Sequence, residues 1–198
     1  MPSQEEDDAK YGAGRKWEEF YKGRLLDPGY QQYVRERYKP FLGAIIERAK
    51  LGDRIVEVGC GLGTITRVLA DSMIRANQGF RAYDLNPYMV RYARQTLSDG
   101  YPVEVGNAFF PTNCKPDIVH SHGMLEHFTD DQIGKVIQAH IKDEARHAVH
   151  YVPGDKYEVP SFGDERLMPL EFWKEFGPTE AFAFNDGYDY CLIWDFYK

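Results

Sequence analysis

The stretch Glu57-Val58-Gly59-Cys60-Gly61-Leu62-Gly63-Thr64 and the acid Asp84 beyond it have the types and spacing to hold a small nucleoside-like ligand. An apolar run, Arg54–Val58, reads as a strand entering a glycine-dense turn. An amphipathic helix follows, and a second strand ends on Asp84. That order places backbone amides and one carboxylate around the adenosine part of a cofactor. The glycines fall at Gly59, Gly61 and Gly63, a GxGxG pattern. The dinucleotide fingerprint is GxGxxG, with its last glycine one residue later. Glu57, the acid before the turn, also has no counterpart in the usual pyrophosphate loop.

Further along, Gly106-Asn107-Ala108 ends a third strand, and Ser121-His122-Gly123 and Leu125-Glu126-His127 follow a fourth. Together with Glu57–Thr64 and Asp84, these motifs resemble those of the class I S-adenosylmethionine-dependent methyltransferases. The resemblance covers about residues 51 to 198. It implies S-adenosyl-L-methionine as cofactor and S-adenosyl-L-homocysteine as product. It also implies the contacts. The turn at Gly59, Cys60 and Gly61, with the helix start at Thr64, would face the amino-acid tail. Glu57 would accept from its ammonium group, directly or through water. Asp84 would take the ribose hydroxyls, and Leu85 would pack on the adenine face. Asn107 and Ala108 would meet the adenine edge, and His122 would lie beside the reacting methyl.

Methyl transfer needs an oriented, desolvated nucleophile, and a base only when that nucleophile starts protonated. His122 and His150 are the candidate bases, because both are expected at the C-terminal ends of central strands and imidazole titrates in the right range. Glu126 and His127 are read as bracing the loop. Some relatives bind a divalent cation through Glu-x-x-Glu-His, but Gly123 stands where the first acid would be. No metal is assigned. His120, His122, His127 and His150 are read as hydrogen-bonded core or cleft residues rather than ligands. Tyr11, Trp17 and Tyr21 near the N-terminus, with Tyr157 and Phe162 in a long loop, could form an aromatic cover.

The elements that must position these residues alternate. Strands are predicted at Arg54–Val58, Gly79–Asp84, Pro102–Val105, Asp117–Ser121 and His147–Val152. Helices are predicted at Thr64–Met73, from Pro87 to about Leu97, and after Thr129. Ile65, Val68, Leu69 and Met73 share one face of the first of these at helical spacing. Asn86-Pro87 reads as a cap with proline at the first helical position. Thr129-Asp130-Asp131-Gln132 reads as a capping box. Before the first strand, residues 11–50 carry two helical segments, the second from Tyr30 to Lys50 with Pro40 inside it to kink or split it. Pro153–Pro169 reads as a long loop, a lid or binding loop. The chain closes with a short helix near Leu170–Phe176 and a hairpin around Asn185-Asp186-Gly187. The expected fold is α/β: a doubly wound, Rossmann-like, seven-stranded mixed sheet in order 3-2-1-4-5-7-6, last strand antiparallel, with an N-terminal helical cap. The cap is placed at residues 1–50 and the cofactor-binding domain at 51–198.

Composition narrows the partners. The 198 residues carry a net charge of −7, so the basic footprint of a nucleic-acid binder is missing. The Asn/Asp-Pro-Pro-Tyr/Phe motif of base-modifying enzymes is also absent after the fourth strand. Cysteines are few (Cys60, Cys114, Cys191) and far apart, and no long apolar run appears. The expectation is a cytoplasmic enzyme, monomer or homodimer, without nucleic-acid or membrane partner, methylating oxygen or nitrogen on a small molecule. The competing readings are a protein methyltransferase and a non-catalytic scaffold that binds the cofactor.

Overall fold

The computed structural model of the chain describes residues 14–21, 27–73, 79–97, 100–160 and 164–197. Three helices come first: α1 (Gly14–Tyr21), α2 (Pro28–Arg37) and α3 (Lys39–Arg48). The alternating part follows as β1 (Arg54–Val58), α4 (Thr64–Ser72), β2 (Gly79–Asp84), α5 (Pro87–Thr96), β3 (Val103–Val105), β4 (Ile118–His122), α6 (Asp130–Lys142) and β5 (His147–Pro153). α7 (Leu170–Lys174), β6 (Glu180–Phe184) and β7 (Asp189–Asp195) complete it.

The seven strands form one sheet in the order β3-β2-β1-β4-β5-β7-β6, as expected. β1 pairs in parallel with both β2 and β4, so the strand order reverses at β1. Doubly wound sheets bind ligands at such a reversal, beyond the C-terminal strand ends. β7 runs antiparallel to β5 and β6. Its turn places Asn185 and Asp186 at positive φ, which asparagine and aspartate tolerate better than most residues.

Local signals set the helix ends. Asn86 accepts from the Tyr88 amide and Pro87 opens α5. Thr129 and Gln132 complete the capping box of α6. Asp27 caps α2, with Pro28 at its start. The predicted Tyr30–Lys50 helix is split at Tyr38, and Pro40 sits in the first turn of α3, where a missing amide costs nothing.

Two cores flank the sheet. Ile55, Phe80, Ile118 and Val149 meet α2, α3 and α4 through Val34, Phe41, Ile45 and Leu69. On the other face, Val56, Val119, Ala148 and Leu192 meet α6 and Trp173 of α7. The N-terminal helices therefore share a core with the sheet and stand over one half of its C-terminal edge.

Candidate functional site

The turn after β1 is built for close approach. Gly59, Gly61 and Gly63 all have positive φ, at 69°, 52° and 73°. A Cβ on Gly59 would lie 2.8 Å from Met124 Sδ, and one on Gly63 2.9 Å from Leu97 Cδ1. The Gly61 amide donates to Asp84 Oδ2 at 2.8 Å, and the Asn86 amide donates to Oδ1 at 2.8 Å. One carboxylate thus ties the glycine turn to the β2–α5 turn. Each of its oxygens keeps one lone pair for a ligand hydroxyl. Burial raises the Asp84 pKa, and the two amides pull it back.

Over this turn lies a cleft of about 340 Å³ lined by Gly59, Gly61, Asp84, Leu85, Asn107, Ala108 and His122. Leu85 is 41% exposed into it, an apolar side chain with no cover of its own. Asn107 Oδ1 accepts from the Phe109 amide at 2.9 Å, which fixes the turn after β3. Trp17 and Tyr21 of α1 close the cleft from above, stacked with centroids 5.9 Å apart. Tyr157 lines the neighbouring chamber instead. Tyr11 and Phe162 lie outside the described residues.

The glycine turn and Asp84 fit the adenosyl half of S-adenosylmethionine: a cradle that side chains would fill and an acid with free lone pairs. The other half of the fit lies in a small recess under the turn, lined by Glu57, Cys60, Thr64 and Ile65. Glu57 Oε2 accepts from both the amide and the hydroxyl of Thr66, at 3.1 and 2.6 Å. Glu57 thereby braces the first turn of α4, whose positive end suits an anion. Cys60 is committed to the loop: its amide donates to Tyr83 O and its carbonyl accepts from Gly63. Its side chain packs with Ala82 and Val90. It shapes the recess and brings no free group to it.

The histidines separate, and strand register is the reason. His120 pairs with Val149, Ser121 with His150, and His122 with Tyr151. Paired residues share a sheet face, so His120 and His122 face α3 while His150 faces α6. The expectation that His150 reaches the site is therefore wrong. It is fully buried in mid-strand, bonded to Ser121 Oγ at 2.7 Å and stacked on His140. Burial holds its pKa well below the usual value. His150→Gln is expected to leave S-adenosylhomocysteine affinity unchanged and to cost about 1–3 kcal/mol of stability. Calorimetry and urea unfolding check both, and a tenfold loss of affinity at full stability would return His150 to the site. Among the described residues no cluster of three or more His, Cys, Asp or Glu could hold a metal ion.

His122 does reach the cleft. Its ring stacks on Tyr151 (4.3 Å) and meets the edge of Tyr38 (4.1 Å). Burial drops it to about 3, so it is neutral at pH 7 and a weak proton acceptor. His127 Nδ1 bonds Asp164 at 2.8 Å and so holds the long loop, as the bracing reading expects. Glu126 meets that loop through its carbonyl, which accepts from the Arg166 amide at 2.9 Å, and not through its carboxyl. Its Oε2 is buried without a hydrogen-bond partner.

Beside the first cleft lies a second chamber of about 450 Å³. Trp17, Tyr21, His122, Gly123 and His127 border both. Tyr30, Tyr38 and Tyr151 join its wall, residues that sequence reasoning assigns no role beyond packing. The only available signal was Tyr151, which shares a strand with His150 at the opposite parity. Asp189, buried on β7, accepts from the hydroxyls of Tyr151 (2.9 Å) and Tyr157 (2.8 Å) and pairs with Arg37 at 2.7 Å.

Glu57 and Glu126 are both lifted to about 8, burial being the largest cause. Each binds its proton more tightly when folded than when unfolded. Their contribution to stability is whole below about 4.5 and is lost as pH rises through about 8. Urea unfolding across that range should show declining stability, and Glu126→Gln should flatten the decline. An unchanged slope in the variant would show that Glu126 ionises freely in the fold.

Comparison with known proteins agrees with this geometry. Residues 55–142 match the family described as methyltransferase domain. A comparison with curated proteins finds no match. Among solved structures, the putative methyltransferase of Haloferax volcanii, in complex with the Trm112 activator, is similar at TM-score 0.64 and 15% identity. The match covers 84% of this chain and 93% of that one. The magnesium protoporphyrin IX methyltransferase of Synechocystis PCC 6803, with bound S-adenosylhomocysteine, is similar at 0.62 and 14%, over 94% and 95% of the two chains. A small RNA methyltransferase is similar at 0.63 and 14%, over 81% of this chain and 25% of its own.

Proposed function

We propose that this chain is a class I S-adenosylmethionine-dependent methyltransferase and that it methylates oxygen or nitrogen of a small molecule held in the second chamber. The observation that carries the reading is the shared border of the two spaces at His122 and Gly123. A donor in one and an acceptor in the other would meet there. When bound, S-adenosylmethionine supplies a methyl group on a sulfonium centre.

The residues divide the work. Asp84, Leu85 and the glycine turn would hold the adenosyl part, and the α4 N-terminus braced by Glu57 the amino-acid tail. Gly123, at φ 67°, keeps the junction open. His122, held between Tyr38 and Tyr151, walls it as a neutral ring. The surrounding aromatics keep water from the acceptor, which is the main service a methyl transfer asks of the protein.

The size of the chamber supports a small acceptor, about 450 Å³ walled by side chains. Neither space is lined by lysine or arginine among the described residues, and the net charge is −7, which favours this over a nucleic-acid acceptor. No helix among the described residues is long and apolar enough to cross a membrane. Incubation with S-adenosylmethionine and fractionated metabolites should release S-adenosylhomocysteine in a low-molecular-mass fraction. Release only with protein or RNA fractions would overturn the small-molecule reading, and cofactor binding without release in any fraction would favour a scaffold.

A further inference from the structure

Taking the second chamber as the acceptor site, as proposed above, we infer that the acceptor is an amine that enters as the ammonium ion and sits among tyrosine rings beside the Glu126 carboxyl. Glu126 is 3% exposed and lines the chamber. Its Oε2 has no hydrogen-bond partner. Its Oε1 lies 3.2 Å from where a Cβ on Gly123 would stand, so the carboxyl reaches the border with the cofactor cleft. The nearby arginine does not neutralise it. The Arg166 guanidinium is held by Phe128 O (2.6 Å) and Asp130 (2.7 Å), and only its backbone amide bonds Glu126, at the carbonyl.

A buried carboxyl oxygen without a partner is costly, and a cation placed beside it recovers part of that cost. The remaining wall also suits a cation. Tyr30, Tyr38, Tyr151 and Tyr157 line it with aromatic rings, and electron-rich rings attract a desolvated cation. Asp189 fixes two of these rings by their hydroxyls, so their positions are set before the ligand arrives. Glu165 also lines the chamber, and no lysine or arginine does among the described residues. An anion would meet two carboxyls. A neutral alcohol would leave the proton on Glu126 in place.

The same carboxyl accounts for the proton. An ammonium ion has no lone pair. Glu126 as carboxylate takes one proton from it, giving a neutral amine and a carboxylic acid. The amine nitrogen forms the new N–C bond as the C–S bond breaks, with that electron pair staying on sulfur. The product is the methylated ammonium ion, and Glu126 returns its proton to water.

Burial, with Asp164 and Glu165 adding to it, holds the Glu126 proton up to about 8. His122, His127 and Tyr151 complete the surroundings of the chamber floor. An arriving ammonium ion should therefore expel a proton from Glu126 at neutral pH.

Benzylamine and its neutral counterpart benzyl alcohol test this by calorimetry at pH 7, with S-adenosylhomocysteine bound and in buffers of different ionisation enthalpy. The expected result is benzylamine binding at least about tenfold tighter, roughly the gain of one cation–aromatic and ion-pair contact. It should release close to one proton. In Glu126→Gln the preference should fall to within about threefold and the proton release vanish, with S-adenosylhomocysteine affinity unchanged. Equal binding of the two probes by the unaltered protein would overturn the amine assignment and leave the acceptor chamber standing. Binding of neither would overturn the chamber's role as well. The unaltered protein alone decides both, whether or not the variant folds.

Discussion

Asp84→Ala is expected to weaken S-adenosylmethionine binding by about a hundredfold or more, measured by titration calorimetry. Two losses add. The ribose hydroxyls lose a charged acceptor, and each such bond contributes about 1.5–3 kcal/mol. The Gly61 and Asn86 amides lose the oxygens that tie their turns together, so the cradle loosens before the ligand arrives. Asn is not a rescue. Its side chain would point an NH2 at one of the two amides, donor against donor. Asp84→Asn should therefore fall close to Asp84→Ala. Either variant binding within threefold of the unaltered protein would remove Asp84 from the cofactor site. Far-ultraviolet dichroism should show the sheet intact, because neither core contains Asp84.

Gly59→Ala is expected to cost about 2–5 kcal/mol of stability and to take cofactor binding with it. An alanine at φ 69° pays about 1–2 kcal/mol for its left-handed backbone. Its Cβ would press Met124 Sδ at 2.8 Å and Cγ at 3.0 Å, and overpacking of this kind costs about 1–3 kcal/mol. Met124 lies directly after Gly123, so its displacement disturbs the border between the two chambers. Urea unfolding reads the first effect and calorimetry the second. A second change, Met124→Ala, distinguishes the causes: in that background Gly59→Ala should cost less than in the unaltered protein, leaving only the backbone strain. An equal cost of Gly59→Ala in both backgrounds would show that the contact with Met124 is not the source of the loss.

The cofactor half of the site was legible in the chain because its signals are local. The glycine spacing, the acid at the end of β2, and Asn86-Pro87 all lie within a few residues of the atoms they organise. The same holds for the Thr129 capping box and the Asn185–Gly187 turn. The strand order was legible through the family resemblance, and the reversal at β1 follows from it. The split of the second N-terminal helix was readable from Pro40, though not its place at Tyr38.

The histidines show where local reading stopped. Alternation along a strand says that His120 and His122 share a face, and that His147 and His150 do not. It does not say that β4 pairs with β5 in the register that puts Ser121 beside His150, and so sends His150 to α6. A titrating group in the sequence became a neutral core residue for that reason.

Glu126 went the other way. Beside His127 it reads as a brace, yet of the two side chains only that of His127 bonds the loop, through Asp164. Whether a carboxyl has a partner depends on side chains far along the chain, here on Arg166 turning to Phe128 and Asp130. Sequence by itself indicated the cradle for an adenosyl cofactor, because backbone amides and one acid at fixed spacing suffice to form it. Tertiary structure alone decided the shape and charge of the space beside it. That space is assembled from α1, α2, β5 and the long loop, whose meeting is a matter of packing and not of spacing.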